Sequence, residues 1–329
     1  MTWQGQRTVV TGAGGFIGSH LVEELVREGA NVTAFIRYNS RGDAGNLRYA
    51  DPELRRAVTH YYGELRDPQA VRTAMEGADA VFHLGALIGI PYSYAHPHDV
   101  VQTNVLGTLN VLSAARELGT PRVVHTSTSE VYGTALYAPI DEKHPLQGQS
   151  PYSASKIGAD KLAESYHLSY GLPVVTVRPF NTYGPRQSAR AVIPTVIAQM
   201  LTRDRIRLGA LTPLRDFNYV GDTVAGFLAA ASSDRTIGEV VNLGSGREVS
   251  IGEVVDLIRE LVGRDVTVET DEERLRPPGS EVERLLADNR KAGELMGWQP
   301  RVPLEKGLGE TISWIREHLD LFQVERYAV

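Results

Sequence analysis

The chain contains no cysteine. Disulfides, thiolate catalysis and cysteine-ligated zinc or iron–sulfur centres are thereby excluded. Positive charge is not in excess either: 34 Lys and Arg residues stand against 40 Asp and Glu, a formal net charge of −6. That balance removes the electrostatic case for nucleic acid as a partner, so any phosphate must be held locally by arginines and backbone amides. No stretch approaches the roughly 20 apolar residues of a membrane span. Met1-Thr2-Trp3-Gln4-Gly5 shows no apolar signal core, and a cytoplasmic protein is expected. Internal repeats, low-complexity tracts and flexible linkers are missing as well. The histidines lack metal-ligand spacing, since His96-Pro97-His98 is a loop pair without carboxylate support, and no metal is expected.

What is present is a regular alternation. Apolar runs at Val32–Ile36, Ala80–Leu84, Val123-Val124 and Val174–Val177 are separated by helical segments. This pattern predicts an α/β fold with a Rossmann-type doubly wound parallel sheet. After Asn181 the rhythm breaks into shorter elements rich in Arg, Gly and Pro, read as a smaller α/β substrate-binding lobe. The expected division is a dinucleotide-binding domain at 1–180 plus about 216–245. The smaller lobe takes about 181–215 plus 246–329, and the two share one rigid cleft.

Two runs carry the candidate chemistry. His125-Thr126-Ser127-Thr128-Ser129-Glu130-Val131-Tyr132-Gly133 follows a predicted strand at 122–126, so its polar residues fall at the carboxyl end, where open α/β sheets bind ligands. Pro151-Tyr152-Ser153-Ala154-Ser155-Lys156 opens a predicted helix. A lysine four residues after a tyrosine shares its helical face, and its ammonium can depress the phenol pKa until tyrosinate is a usable base near neutral pH. With a nicotinamide nearby, this is a site for moving a proton and a hydride. A cofactor site is offered where the strand Arg7–Thr11 runs into Gly12-Ala13-Gly14-Gly15-Phe16-Ile17-Gly18-Ser19 and an amphipathic helix from Phe16 to Glu28. Glycines at 12, 15 and 18 permit a tight turn, close approach to a pyrophosphate and tight helix–strand packing.

With these motifs the chain resembles the extended short-chain dehydrogenase/reductase family, and within it the nucleotide-sugar 4,6-dehydratases. The resemblance also runs through Gly63-Glu64-Leu65-Arg66-Asp67, His83-Leu84-Gly85-Ala86, Thr103–Thr108, Arg178–Arg186 and Arg215–Val220. More narrowly, Asp141–Ser150, Gln187–Pro194 and Asp271–Pro277 look like the bacterial enzymes that dehydrate nucleotide-linked N-acetylglucosamine for legionaminic acid synthesis.

The resemblance implies roles. Removing water across C5 and C6 of a hexose is difficult because the C5 hydrogen is not acidic, so the family first oxidises C4 to a ketone. Tyr152 would take the C4 hydroxyl proton, Lys156 would lower the tyrosine pKa and hold the nicotinamide ribose, and Thr128 would hydrogen-bond the C4 oxygen. Glu130 would remove the C5 proton before water leaves C6 and the stored hydride returns there. Ser129 stands where many dTDP-glucose dehydratases carry an Asp; a serine is a poor acid, so either Glu130 handles both protons or Ser129 relays one. Phe16, Ile17, Glu64, Leu65, Leu84, Gly85 and Ala86 fall at family cofactor positions, with Glu64 in place of an Asp that contacts the adenine. Asn181, Arg215 and Arg276 match positions that grip the nucleotide diphosphate, and Arg186 and Arg190 are further candidates.

The cofactor is NAD or NADP. The end of the second strand reads Ile36-Arg37-Tyr38-Asn39-Ser40-Arg41 in place of an acidic residue, and Arg37 and Arg41 can hold the 2′-phosphate of NADP, which leans the reading that way. His83 reads as a structural histidine at a strand end and Asn104 as a brace of the sheet. Tyr92 and Tyr94 either shape the hexose pocket or pack a loop. Helices at about 99–118 and 152–170 would form the family's four-helix homodimer interface, or else only cover the sheet. Competing functions are a UDP-glucuronate-type decarboxylase, with Arg186 or Arg190 for the sugar carboxylate, and a nucleotide-sugar epimerase or mutase. A cofactor-binding sensor without chemistry represents a different class.

Overall fold

Short runs of β-branched residues bounded by turns build the scaffold. In the computed structural model, which describes residues 2–322, six strands alternate with helices in the first half. They are β1 (Arg7–Thr11), β2 (Asn31–Arg37), β3 (Thr59–Gly63), β4 (Ala80–His83), β5 (Val123–Thr126) and β6 (Val174–Pro179). Next come β7 (Asn181–Tyr183), β8 (Arg205–Leu208), β9 (Leu214–Tyr219), β10 (Val240–Leu243), β11 (Glu248–Ser250) and β12 (Thr267–Thr270). Seven strands form one sheet in the order β10-β6-β5-β4-β1-β2-β3, parallel throughout. The order reverses between β1 and β4, and a crevice opens outside the carboxyl ends of strands at such a reversal.

Helices cover both faces of this sheet. The helix Phe16–Arg27 buries Gly18, Leu21, Val22 and Leu25, the i, i+3, i+4, i+7 stripe of an amphipathic helix. The helix Pro151–Tyr170 is set at its start by Ser150, whose hydroxyl accepts from Ser153 N while Ser153 returns the bond, and it ends where Gly171 turns left-handed at φ 65°. The central strand β5 shows no exposure at Val123 or Val124; each such side chain contributes about 1.5–3 kcal/mol.

The smaller lobe is built on a three-stranded sheet, β11-β9-β7, and a two-stranded one, β12-β8. Helices Val192–Thr202, Ile251–Val262 and Leu304–Glu317 close its core around Val196, Ile197, Val254 and Leu308. The exchange of chain between lobes differs from the sequence reading in two places. β9 lies in the smaller sheet, so the return to the large domain starts at the helix Val220–Ser232. The helix Arg290–Met296 and Trp298 pack on the large core through Ala292 and the indole. Among the described residues no helix is long and apolar enough to cross a membrane.

Candidate active site

A cleft of about 1060 Å³ runs along the carboxyl ends of the central strands, with residues of the smaller lobe on its far wall. Its floor is the turn after β1. Gly12 has φ +69°, and a Cβ there would stand 2.8 Å from Gly85 N; a Cβ on Gly18 would collide with the Gly12 carbonyl oxygen. The first turn of the helix Phe16–Arg27 thus points its free N–H groups into the cleft, a cradle for a pyrophosphate. Gly12, Gly15, Phe16, Ile17, Gly18, Arg37, Leu84, Gly85 and Ala86 all line this region.

A relay of hydrogen bonds braces the cradle. The Thr108 hydroxyl donates to Asn104 O at 2.6 Å, so it accepts from His83 Nε2 at 3.0 Å. Burial holds His83 well below its ordinary pKa, and its bare Nδ1 then accepts from Thr11 Oγ1 at 2.8 Å. Thr11 Oγ1 in turn accepts from Gly85 N at 3.0 Å. His83 is therefore a structural residue that locks the amide after β4 against the glycine turn. Asn104 bonds Leu87 N, Leu87 O and Ser155 Oγ, bracing the loop after β4 against the Tyr152 helix rather than the sheet.

Thr128, Ser129, Glu130 and Tyr152 line the cleft together. Thr128 caps the short turn Ser129–Tyr132 by accepting from Glu130 N at 3.2 Å, which presents Glu130 beside the tyrosine. Tyr152 is 7% exposed. Burial pushes its phenol upward, a hydrogen bond with Thr128 opposes, and the charges of Glu130 and Asp160 add to the rise. Lys156 shares the helical face but lies deeper, and its Nζ donates to the strand-end carbonyl of Thr126 at 2.7 Å. Burial lowers Lys156 to about 8, with Asp160 opposing.

On the far wall Asn181, Arg190, Arg215 and Arg276 line the cleft. Arg215 Nη2 donates to Glu281 Oε1 at 3.1 Å. Arg276 Nη1 lies 3.7 Å from Glu130 Oε2 and 3.8 Å from Glu281 Oε1, and it is buried without a hydrogen-bond partner among the described residues. Its charge is met by these two carboxylates, while its N–H is left to donate to a ligand oxygen. Three expected site residues stand elsewhere. Arg186 does not line the cleft: its Nη1 donates to Glu23 Oε2 at 2.6 Å and its Nη2 to Tyr49 O at 3.0 Å, in a buried pair between the lobes. The Glu64 carboxylate holds Arg66 at 3.2 Å and Arg37 at 3.7 Å. Leu65 packs behind Gly85, where a Cβ would meet its Cδ1 at 2.7 Å. Tyr92 donates to Asp99 Oδ2 at 2.9 Å and Tyr94 pairs with Ser280 Oγ at 2.5 Å, so both pack loops.

Sequence reasoning passed over Arg274, Glu281 and Asp160. Arg274 and Glu281 line the cleft and flank the quoted Arg276, but a carboxylate facing two arginines leaves no spacing signal. Asp160 repeats the four-residue interval from Tyr152 to Lys156, which would have revealed it.

The sequence model of the GDP-mannose 4,6-dehydratase family matches residues 9–311. The chain is 35% identical over 320 residues to the dTDP-glucose 4,6-dehydratase of Streptomyces antibioticus, covering 94% of this chain and 92% of that one. It is also 31% identical over 325 residues to the UDP-glucuronate 4-epimerase of Thermodesulfobacterium geofontis, covering 96% and 98%. Among solved structures, DesIV, a dTDP-glucose 4,6-dehydratase from Streptomyces venezuelae with NAD and TYD bound, superposes with a TM-score of 0.87 at 30% identity, covering 98% of this chain and 100% of that one. A glycine cradle, a Tyr–Lys helix and this breadth of match lead to one conclusion: the chain belongs to the GDP-mannose 4,6-dehydratase family, among the NAD-dependent nucleotide-sugar dehydratases and epimerases of the extended short-chain dehydrogenase/reductase type.

Proposed function

We propose that the protein is a nucleotide-sugar 4,6-dehydratase acting on UDP- or GDP-linked N-acetylglucosamine. The observation that carries this reading is Glu130, a carboxylate on the turn after β5 that faces the same cleft as Tyr152. An exchange at C4 alone needs one proton acceptor; removing a C5 proton as well needs a second, and Glu130 is that group. Bound in the glycine cradle, a nicotinamide dinucleotide would accept and return the hydride. Tyr152 takes the C4 hydroxyl proton, Thr128 holds the C4 oxygen, Glu130 takes the C5 proton, and Glu130 or Ser129 delivers a proton to the departing C6 hydroxyl. Lys156 holds positive charge behind Tyr152, and Arg215, Arg276 and Asn181 take the diphosphate.

Two particulars refine the reading. Arg37 and Arg41 incline the sequence to NADP, yet Glu64 stands 3.7 Å from Arg37 and would repel a 2′-phosphate, so NAD is the cofactor we favour. Arg186, one of the two candidates for a sugar carboxylate in a decarboxylase, is already paired to Glu23, which leaves Arg190, on the cleft wall, as the arginine such an enzyme would use. A homodimer through the helices at 97–118 and 151–170 is supported by Val101, Leu106 and Leu168, exposed on these packed helices.

The test is incubation with NAD or NADP and, separately, UDP-GlcNAc, GDP-GlcNAc, GDP-mannose and UDP-glucuronate, with products resolved by mass. Loss of one water from an N-acetylglucosamine nucleotide is the expected result. Loss of carbon dioxide, or a product of unchanged mass, overturns it in favour of a decarboxylase or an epimerase. The Tyr152→Phe variant should lose most turnover; retained turnover would remove Tyr152 from the chemistry.

A further inference from the structure

Asp160 lies one turn beyond Lys156 on the buried face of the helix that carries Tyr152, and it is 4% exposed. Its Oδ1 accepts from His125 Nε2 at 3.0 Å. Its Oδ2 accepts from Ser127 Oγ at 2.8 Å and from Arg178 Nε and Nη2 at 3.1 and 2.9 Å. Arg178 Nη1 then donates to the Tyr132 phenol oxygen at 2.9 Å, and Tyr132 donates to Asn242 Oδ1 at 2.8 Å. Tyr132 closes the turn that presents Glu130. One carboxylate thus ties the Tyr152 helix to β5, to β6 and, through Arg178, to the turn bearing the candidate C5 base.

The charges around the Lys156 ammonium can be named by element. Asp160 and Tyr152 belong to its own helix, His83 to β4, His125 to β5 and Arg178 to β6. Burial lowers both histidines, which stay neutral. A neutral His125 that donates through Nε2 leaves its Nδ1 bare, and Nδ1 has no hydrogen-bond partner among the described residues. What remains is one buried anion, Asp160, facing two buried cations, Lys156 and Arg178. A neutral carboxamide would offer one acceptor oxygen in place of two, and it could not offset those charges.

We propose that Asp160 is a positioning residue for proton transfer: its buried negative charge keeps Lys156 an ammonium behind Tyr152, while its hydrogen bonds hold the Glu130 turn to the same helix. The proposal rests on the reading of Tyr152, Lys156 and Glu130 given above, so its first test needs neither cofactor nor sugar. The lysines are Lys143, Lys156, Lys161, Lys291 and Lys306, few enough for 13C-lysine NMR, with Lys156 assigned by the Lys156→Met variant. Its midpoint should fall by about one pH unit or more in Asp160→Asn. In Ser127→Ala, which removes a donor from the carboxylate and strengthens its field, the midpoint should rise. Tyr132→Phe keeps the charge and cuts the tie, so it should leave the midpoint in place.

With whichever sugar nucleotide turns over, the kcat/KM profile of Asp160→Asn should move toward acid with the lysine midpoint, and Tyr132→Phe should lower kcat without moving the profile. An unmoved Lys156 midpoint in Asp160→Asn overturns the proposal, even where activity is lost. Should that variant not fold, Ser127→Ala decides alone, and the absence of an upward shift overturns it. Failure of every sugar to react would count against the dehydratase reading and leave the NMR result standing.

Discussion

Burial makes Tyr152 harder to ionise and Lys156 easier to neutralise, so the protons of this pair are pushed in opposite senses by one cause. Asp160 goes against burial. Desolvation would raise it, but the hydrogen bond from His125 and the charges of Arg178 and Lys156 oppose, and it comes down to about 2 from 3.8. Unfolding therefore takes up a proton at this carboxyl as the pH falls between those values. Its contribution is complete above pH 3.8 and lost through pH 2, about 2 kcal/mol in all. Lys156 has the reverse sign: at about 8 in the fold against 10.5, it weakens the fold below pH 8 by on the order of 3 kcal/mol, a penalty relieved as the pH climbs to 10.5. Urea unfolding should show wild-type stability dropping more steeply between about pH 4 and 2 than that of Asp160→Asn. Equal slopes would refute the assignment. Arg276 Nη1 lies 3.7 and 3.8 Å from Glu130 and Glu281 without hydrogen-bonding either, which leaves it a donor for the nucleotide diphosphate. Arg276→Ala should raise KM for the nucleotide sugar about 10- to 100-fold, the worth of a charged hydrogen bond, with kcat changed far less; steady-state kinetics on the reacting sugar would decide.

Elements were legible where one local rule dominates. The glycine turn, the capped helix Pro151–Tyr170 and the apolar strands β1, β2, β4, β5 and β6 follow from spacing and burial on both faces. β3 was not, because His60, Tyr61 and Tyr62 make a half-buried edge strand with neither an apolar run nor a clean alternation. The helical stretch predicted at 99–118 holds a wider π-type turn at Gln102–Leu106. That turn contains Asn104, whose amide bonds Leu87 and Ser155, and only a tertiary contact rewards the irregularity. Arg274 and Glu281 come from a segment whose place over the cleft depends on long-range pairing, as when Tyr94 meets Ser280. The local rule at Gly18 gives a direct test. A methyl group there collides with the Gly12 carbonyl oxygen, so Gly18→Ala should displace the first turn of the helix and weaken dinucleotide binding at least about tenfold. Fluorescence titration with NAD measures it, and unchanged affinity would mean that the cradle is not the cofactor's seat.

At the scale of the whole molecule the decisive residue is one that sequence reasoning assigned to the substrate. Arg186 stands at φ 68° in the loop that enters the smaller lobe, and its side chain returns to the Rossmann helix. There Glu23 Oε2 accepts at 2.6 Å, while Glu23 Oε1 accepts from Asp51 N at 3.1 Å. The loop is stitched by backbone as well: Asn46 Nδ2 donates to Arg186 O at 3.1 Å, and His20 Nε2 pairs with Pro185 O at 3.0 Å. Burial, then the charge of Arg186, lowers His20 to about 4, so at neutral pH it is uncharged and adds no repulsion to the clamp. Glu23 and Arg186 side chains are 6% and 9% exposed, too buried for water to take over if one is removed. Arg186→Ala removes the close partner of a buried carboxylate, leaving it the longer contact to the half-exposed Arg27 at 3.8 Å, and should cost about 3 kcal/mol, the lower end for a broken buried pair, read as a lowered urea midpoint. The double variant Glu23→Gln with Arg186→Met removes both charges and should recover much of that loss. A substrate-binding arginine would behave otherwise, since its removal would raise KM at little cost in stability and no change at Glu23 could restore it. The urea midpoints of the single and double variants therefore distinguish an inter-lobe clamp from a ligand contact.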